Sequence, residues 1–142
     1  MLLGANSTVT VWNRYQNRET KKDEWVRHVL HNASWECKIE SSVSGTGAIV
    51  GGVYSVLIAA HPDYRDYPTW KQTSEDERKQ YFTLNTGDLL ALGDIAIEIT
   101  GVQPYRESDV RGELIPNVFQ IKAFADESEP HKSGRHYFVS GV

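Results

Sequence analysis

The sequence predicts a mainly β protein, a small antiparallel β-barrel or sandwich with one short inserted helix. Several short segments alternate apolar and polar residues with the period of two that half-buried strands require. Four Trp, seven Tyr and four Phe stand against one Met, and this aromatic bias favours strands over helices. Turn-forming residues separate the segments at close intervals. At 142 residues the chain fits one domain.

The first half of the chain predicts three strands. Residues 8–15 alternate so that Val9, Val11 and Asn13 point one way and Trp12 the other. A polar turn or long hairpin loop over residues 16–23 leads to a return strand at 25–30. Residues 32–34 predict a turn, and residues 35–40 a half-buried strand with Trp35 and Cys37 on its apolar face.

Residues 41–52 contain four glycines and few apolar side chains. This composition predicts a flexible Gly-rich loop instead of a packed element. The apolar run at 53–60 follows and predicts a strand in the centre of the sheet.

An insertion with a short helix is expected over residues 61–83. Ser74 followed by Glu77 is a capping box, so a helix of about two turns should begin there. Further strands are expected at 95–100 and 118–124, with a turn at 85–88 between the helix and these strands. In the last of these strands, Phe124 should face away from Phe119 and Ile121.

The expected domain organisation is a single barrel-like domain over residues 1–125 and a C-terminal arm over 126–142. The arm is polar and contains Pro130 and Gly134. Its end, residues 135–139, could form a last strand or order only against a neighbour.

Charge and cysteine content exclude several classes of function. The net charge of −4 is spread along the chain, without the basic stripe that neutralises nucleic-acid phosphates. Direct nucleic-acid binding is therefore disfavoured. Cys37 is the single cysteine, which agrees with a reducing compartment and no internal disulfide. No signal-like or membrane-spanning apolar segment is expected.

The residue patterns that carry catalysis or bind metals and cofactors are not recognisable, so the sequence predicts no enzyme. His28 and His31 would face opposite sides of a strand and are interpreted as surface residues. Cys37 behaves as a small buried hydrophobe. The glycines at 45–52 lack the lysine and the following helix of a phosphate-binding loop. The sequence therefore predicts no catalytic, no cofactor-binding and no metal-binding residues.

The unusual residues are better suited to contacts between proteins. Tyr64, Tyr67 and Trp70 could form a platform that stacks on sugars, although burial of the insertion against the barrel is the favoured interpretation. The predicted interaction surface consists of these three aromatic residues and four residues of the C-terminal arm. The four are Arg135, His136, Tyr137 and Phe138.

The order of these features resembles the head-closure, or stopper, proteins of the head-to-tail connector of tailed bacteriophages. The matching elements are the first strand (Thr8 to Trp12), the turns Gly87-Asp88 and Gly93-Asp94, and residues 97–102 of the type Ile-x-Ile-x-x-Val. Residues 77–88 are similar to those of uncharacterised prophage proteins filed as minor capsid components. The resemblance covers about residues 8–125. The insertion and the tail exceed the compact plan of that family.

The resemblance implies a structural virion protein of the phage neck, assembled in the host bacterial cytoplasm. Copies would form a homo-oligomeric ring that binds portal or adaptor proteins and tail proteins, with DNA only passing through. The Gly-rich loop would be the channel gate, through Ser44, Gly45, Thr46, Gly47, Gly51 and Gly52. A tail terminator or other minor joining protein is an alternative role in the neck. A carbohydrate- or receptor-binding β module is an alternative of another class.

Overall fold

A computed structural model describes residues 6–44, 47–127 and 135–142. In these ranges six antiparallel strands form one sheet that closes on itself, in the order β1-β2-β3-β6-β5-β4. The prediction of a mainly β fold is confirmed, and of the two predicted forms, barrel or sandwich, the single closed sheet corresponds to the first. The strands are Ser7–Gln16 (β1), Asp23–Ser44 (β2), Gly47–Ala59 (β3), Leu89–Leu92 (β4), Val118–Glu127 (β5) and His136–Gly141 (β6). Three short helices, Tyr67–Gln72 (α1), Glu75–Gln80 (α2) and Glu107–Leu114 (α3), complete the described part.

The predicted turn at 32–34 is wrong, because β2 runs through it without a break. Ser7 pairs with Ala33 while Val9 pairs with Leu30, so β2 carries one extra residue at this point. Asn32 has a φ of 63° there, a left-handed conformation that asparagine tolerates better than most residues. The result is a bulge that bends β2 from its pairing with β1 to its pairing with β3.

The predicted Gly-rich loop is mostly a β-hairpin. Residues 41–44 belong to β2 and residues 47–52 to β3, in a continuous register from Ala33↔Ile58 to Ser44↔Gly47. Backbone pairing therefore overrides the glycine content. Of the predicted gate residues, Ser44, Gly47, Gly51 and Gly52 lie in these strands, whereas Gly45 and Thr46 lie outside the described residues.

The prediction of a separate C-terminal arm is also wrong. β5 continues to Glu127, and β6 lies between β3 and β5, with Tyr137 and Val139 almost fully buried. Residues 128–134 of the predicted arm lie outside the described residues. The last strand belongs to the domain because it closes the sheet.

The barrel interior is filled by one cluster of apolar side chains from all six described strands and from the segment after α2. Val9 and Val11 face it, as the alternation of β1 predicts. Phe124 packs against it too, contrary to prediction, because a register shift between Ile121 and Ala123 reverses the alternation of β5. The buried members are Val9, Val11, Leu30, Ala33, Tyr54, Val56, Ile58, Phe82, Leu84, Leu90, Phe119, Ile121, Tyr137 and Val139.

A second cluster lies on the outer face of β1, β4 and β5. Trp12 is its centre, and residues 93–100 and α3 cover it. Residues 95–100 are not a strand, contrary to prediction. They are held by side chains of β1 instead: Thr10 Oγ1 accepts from Ile95 N at 2.9 Å, and Trp12 Nε1 donates to Ile97 O at 2.9 Å. The three isoleucines still share one face, as predicted, and they cover Trp12.

The helix predicted from the capping box is confirmed. Ser74 Oγ accepts from Glu77 N at 3.3 Å, and α2 follows it. Helix α1 lies in a segment whose sequence predicts irregular structure. Asp66 caps this helix, and Pro68 lies in its first turn. Helix α3 was predicted as loop. Its first turn is held by Asp109, which accepts from Arg106 N at 3.1 Å.

The closed sheet has two ends, which we name for the elements that leave them. At the turn end lie the β1–β2 turn (residues 17–22), the helical insertion and the start of β4. At the hairpin end, β2 and β3 continue beyond their pairing with β1 and β6, as the β2–β3 hairpin. Residues 93–100 run from the hairpin end to the turn end, and α3 runs back.

Candidate functional site

The structure does not bring the predicted interaction surface together. Trp70 is fully buried, with its Nε1 donating to Tyr81 O at 3.0 Å. Tyr67 stacks on it at a centroid distance of 6.3 Å, and Tyr15 meets it edge-on. Tyr64 packs separately against Tyr137, with ring centroids 4.4 Å apart. These rings therefore bury the insertion against the barrel, as the favoured interpretation held.

The C-terminal members of that surface are also scattered. Tyr137 points into the barrel, while His136 Nε2 lies 2.9 Å from Glu127 Oε2 on β5. Phe138 is half-buried and Arg135 is exposed. Alternation along β6 places these neighbours on opposite faces of the sheet. A strand over residues 135–139 implies this separation from the sequence alone.

Replacement of Trp70 by phenylalanine should loosen the insertion without unfolding the barrel. The ring would stay buried, but the hydrogen bond to Tyr81 O would be lost, at a cost of about 1 kcal/mol. Hydrogen exchange should speed up at residues 67–81 and remain unchanged in β3 and β6. Equal acceleration in both regions would show that the insertion and the barrel unfold as one unit.

A buried polar network closes the turn end. The Asp88 carboxylate accepts from Asn13 Nδ2 at 2.8 Å, Arg14 N at 2.9 Å and Asn85 N at 3.0 Å. Asn13 also donates to Thr83 O at 2.6 Å and accepts from Thr83 N at 3.1 Å. The network links β1 to the segment after α2, whose apolar side chains fill part of the barrel interior. Its role is therefore structural.

Burial raises the pKa of the Asp88 carboxyl to about 7, against the opposing effect of its hydrogen-bond donors. The sequence carries two signals of this network. Asn13 occupies a position on the apolar face of β1, and Asp88 follows Gly87 in a predicted turn. Gly87 has a φ of 98°, which glycine adopts at low cost.

His28 is not the surface residue that the sequence predicted. It pairs with Val11 across β1 and β2 and therefore faces inward, where its ring contacts Phe82 at a centroid distance of 6.2 Å. Burial lowers the pKa of His28, and the nearby carbonyls of Arg78 and Tyr81 oppose this effect. Its Nε2 is buried without a hydrogen-bond partner among the described residues. His31 is exposed.

The hairpin end is closed by three aromatic rings. Tyr54 stacks on Phe119 with the centroids 5.0 Å apart, and Trp35 meets both rings at an angle. The Tyr54 hydroxyl donates to Pro116 O at 2.6 Å. This cluster anchors the root of the β2–β3 hairpin, because Trp35 and Tyr54 are the last inward-facing aromatic residues of its two strands before the hairpin leaves the sheet.

Clefts run along residues 95–100 on the outer face. One cleft of about 270 Å³ lies between α2 and Trp25, with Thr100 at its edge. A second cleft of about 360 Å³ is lined by Ala96, Ile97, Glu98, Thr100 and Tyr105. The ion pair of Arg27 with Glu98, at 2.8 Å, forms part of the wall of an adjoining cleft. We call the second of these the Tyr105 cleft.

The exposed large apolar side chains of the described part lie at the two ends of the barrel. Tyr105 lines the Tyr105 cleft at the turn end, and Val102 lies beside it, with its carbonyl accepting from Tyr105 N at 2.7 Å. Val102 is 70% exposed and Tyr105 48% exposed. The other three are Val53, Ile115 and Val142 at the hairpin end. Their position follows from the pairing of Tyr54 with Gly141 and from the contact of Tyr54 with Pro116. We call these three residues the apolar rim.

Across 6–44, 47–127 and 135–142, no three His, Cys, Asp or Glu side chains are grouped so that they could hold a metal ion. No helix in the described part is long and apolar enough to cross a membrane. Cys37 is a free, half-buried thiol beside the interior cluster.

Comparison with known proteins gives one match. The model of a family of unknown function, DUF6751, matches residues 4–142. No curated protein and no solved structure matches the chain. The match spans nearly the whole chain, including the insertion and the last strand.

Proposed function

The chain belongs to DUF6751, a family of unknown function, and from its geometry we propose that it is a structural protein of the phage neck. Copies form a ring between the head and the tail, in contact with portal or adaptor proteins and tail proteins. The ring helps to retain packaged DNA. The proposal combines the resemblance of residues 8–125 to head-closure proteins with the form of the β2–β3 hairpin.

The β2–β3 hairpin is the observation that carries the proposal. From Lys38↔Val53 to Ser44↔Gly47, its two strands pair with each other and with no other described strand. At about 3.3 Å per residue, this part extends roughly 20 Å from the sheet. A two-stranded hairpin alone is marginally stable in water. We call this projecting part of the β2–β3 hairpin the arm. Its extension from the sheet is best explained by contacts that form on assembly.

The composition of the arm also suits a position beside DNA. Residues 39–52 contain no Lys or Arg and a single acidic residue, Glu40. Affinity for DNA comes mainly from cations that neutralise phosphates. The part of the hairpin beyond Lys38, which carries no cation, can narrow a channel while DNA slides past it.

Deletion of residues 45–51 tests the role of the arm in DNA retention. The barrel core lies outside the deletion, so the shortened protein should fold. The exposed residues Val53, Ile115 and Val142 also remain, so it should still enter particles. Filled heads should then lose DNA, measured as the fraction of nuclease-sensitive genome in purified particles. A Gly112→Ala protein is the matched control, because Gly112 lies on α3 with open space around it.

Two results would contradict the proposal. If the protein is absent from purified virions, it is not a neck component. If particles with the shortened arm retain DNA as well as the control particles do, the arm is not the gate. The gene neighbourhood provides an independent check, since a neck protein is expected between the portal and capsid genes and the tail genes.

A further inference from the structure

The exposed apolar residues of the described part cannot cover one another within one molecule. The apolar rim lies at the hairpin end, and Val102 and Tyr105 lie at the turn end. Single exposed apolar residues need no explanation, but grouped ones beside a cleft mark contact sites. Because the two groups lie at opposite ends of the barrel, the group of one copy can contact the other group on a second copy.

Backbone geometry at the Tyr105 cleft favours an extended partner. Residues 95–100 alternate between more and less buried positions with the period of an extended chain. Ile95 and Ile97 turn their backbone groups inward, towards Thr10 and Trp12. By the same alternation, Ala96 and Glu98 direct their N–H and C=O groups to the opposite edge, along the cleft.

The outer edge of β3 is a matching extended element. β3 pairs with β6 only over Tyr54–Ala59, so residues 47–53 leave an edge that no described strand covers. Val53, at the start of this edge, is 44% exposed. Its apolar side chain suits a cleft lined by Ala96, Ile97 and Tyr105.

We infer that copies of this chain associate head to tail, with the apolar rim of one copy, including the open β3 edge at Val53, seated on the Tyr105 cleft of the next. This inference rests on the proposed ring and names the surfaces that build it. A contact between unlike surfaces repeats from copy to copy, and it forms a ring when the rotation between neighbours closes. Addition of a strand to an open backbone edge is an established mode of protein recognition.

Cysteine cross-linking of the purified full-length protein tests the arrangement. In a Cys37→Ala background, the double variant Val53→Cys with Ala96→Cys should give a ladder of dimers, trimers and larger species on mild oxidation. Each single-cysteine variant should stay monomeric on a denaturing gel, because like residues do not meet in a head-to-tail contact. Dimers from a single variant, or no ladder from the double variant, would overturn the inference.

Sedimentation provides a second measurement that does not depend on cysteine geometry. Tyr105→Ser should weaken self-association at least tenfold, whereas Gly112→Ala, on the exposed face of α3, should leave it unchanged. A wild-type protein that remains monomeric would refute this contact. The neck proposal would survive that result if the protein were still found in virions. Conversely, self-association of a protein absent from virions would refute only the neck proposal.

Discussion

Gly141→Ala should unfold the protein or leave it only partly folded at 25 °C. A Cβ at this position would overlap the Gln120 carbonyl oxygen and lie 2.6 Å from Phe119 Cδ2. Both obstacles resist movement, because one is backbone and the other belongs to a fully buried ring. Overpacking of a tight core typically costs about 1–3 kcal/mol, and a backbone clash exceeds that range. Total stability of a domain is only about 5–15 kcal/mol.

The site of this clash explains the size of the effect. Gly141 pairs with Tyr54 on β3 and with Ile121 on β5. It therefore lies where β6 joins the two halves of the sheet. Chemical denaturation followed by tryptophan fluorescence is the measurement. Gly112→Ala is the control, and it should be neutral or stabilising by up to about 1 kcal/mol, since alanine favours helix more than glycine does. A Gly141→Ala protein as stable as wild type would show that β5 and β6 are not in close contact.

Asp88→Asn should remove a large pH dependence from the stability. The folded state holds the Asp88 pKa near 7, above the value of about 3.9 expected in an unfolded chain. The folded state therefore binds the proton more tightly. The stabilisation from the neutral carboxyl is complete below about pH 4 and is lost as pH rises towards 7. At about 1.4 kcal/mol per pKa unit, the loss amounts to as much as about 4 kcal/mol.

The asparagine variant isolates this effect because it keeps the size of the side chain and does not titrate. Its carbonyl can still accept from Asn13 and Asn85, while its amide would face the Arg14 N–H and cost about 1–3 kcal/mol. Wild type should therefore be the more stable protein at pH 4, and this advantage should shrink or reverse by pH 8. Denaturation midpoints at several pH values provide the comparison.

His28 also contributes to the pH dependence of the stability. Its lowered pKa acts in the opposite sense, because the buried neutral ring loses stabilisation as pH falls below about 6.5. The difference between wild type and Asp88→Asn cancels this contribution, since both proteins carry His28. A difference that does not vary between pH 4 and pH 8 would mean that Asp88 titrates alike in the folded and unfolded chains.

The candidate sites were only partly predictable from the sequence. Tyr64, Tyr67 and Trp70 stood out as aromatic residues in a polar segment, and burial was the correct interpretation of them. The Tyr105 cleft was not predicted, because its walls come from residues 96–100 and from Tyr105 beyond a turn. Val102 and Tyr105 lie in a loop whose exposure depends on where α3 packs, and the polar sequence of α3 did not predict a helix.

Local chemistry determined the elements whose pattern lies in neighbouring residues. The alternation of Val9, Val11 and Trp12 assigned the two faces of β1, and Ser74 with Glu77 placed the start of α2. The β1–β2 turn and the turn at Gly87 followed in the same way from polar residues and glycine. Such signals act within a few residues, so they are present before the chain folds.

Tertiary structure alone decided the features that depend on distant partners. The bulge at Asn32, the reversal that turns Phe124 inward and the burial of Tyr137 all arise because six strands must close on one another with matching register. Pairing between β2 and β3 likewise overrides the glycines at positions 47, 51 and 52. Hydrogen bonds from Thr10 and Trp12 replace strand pairing for residues 95–100. Closure of the sheet supplies these partners, and no short stretch of sequence contains them.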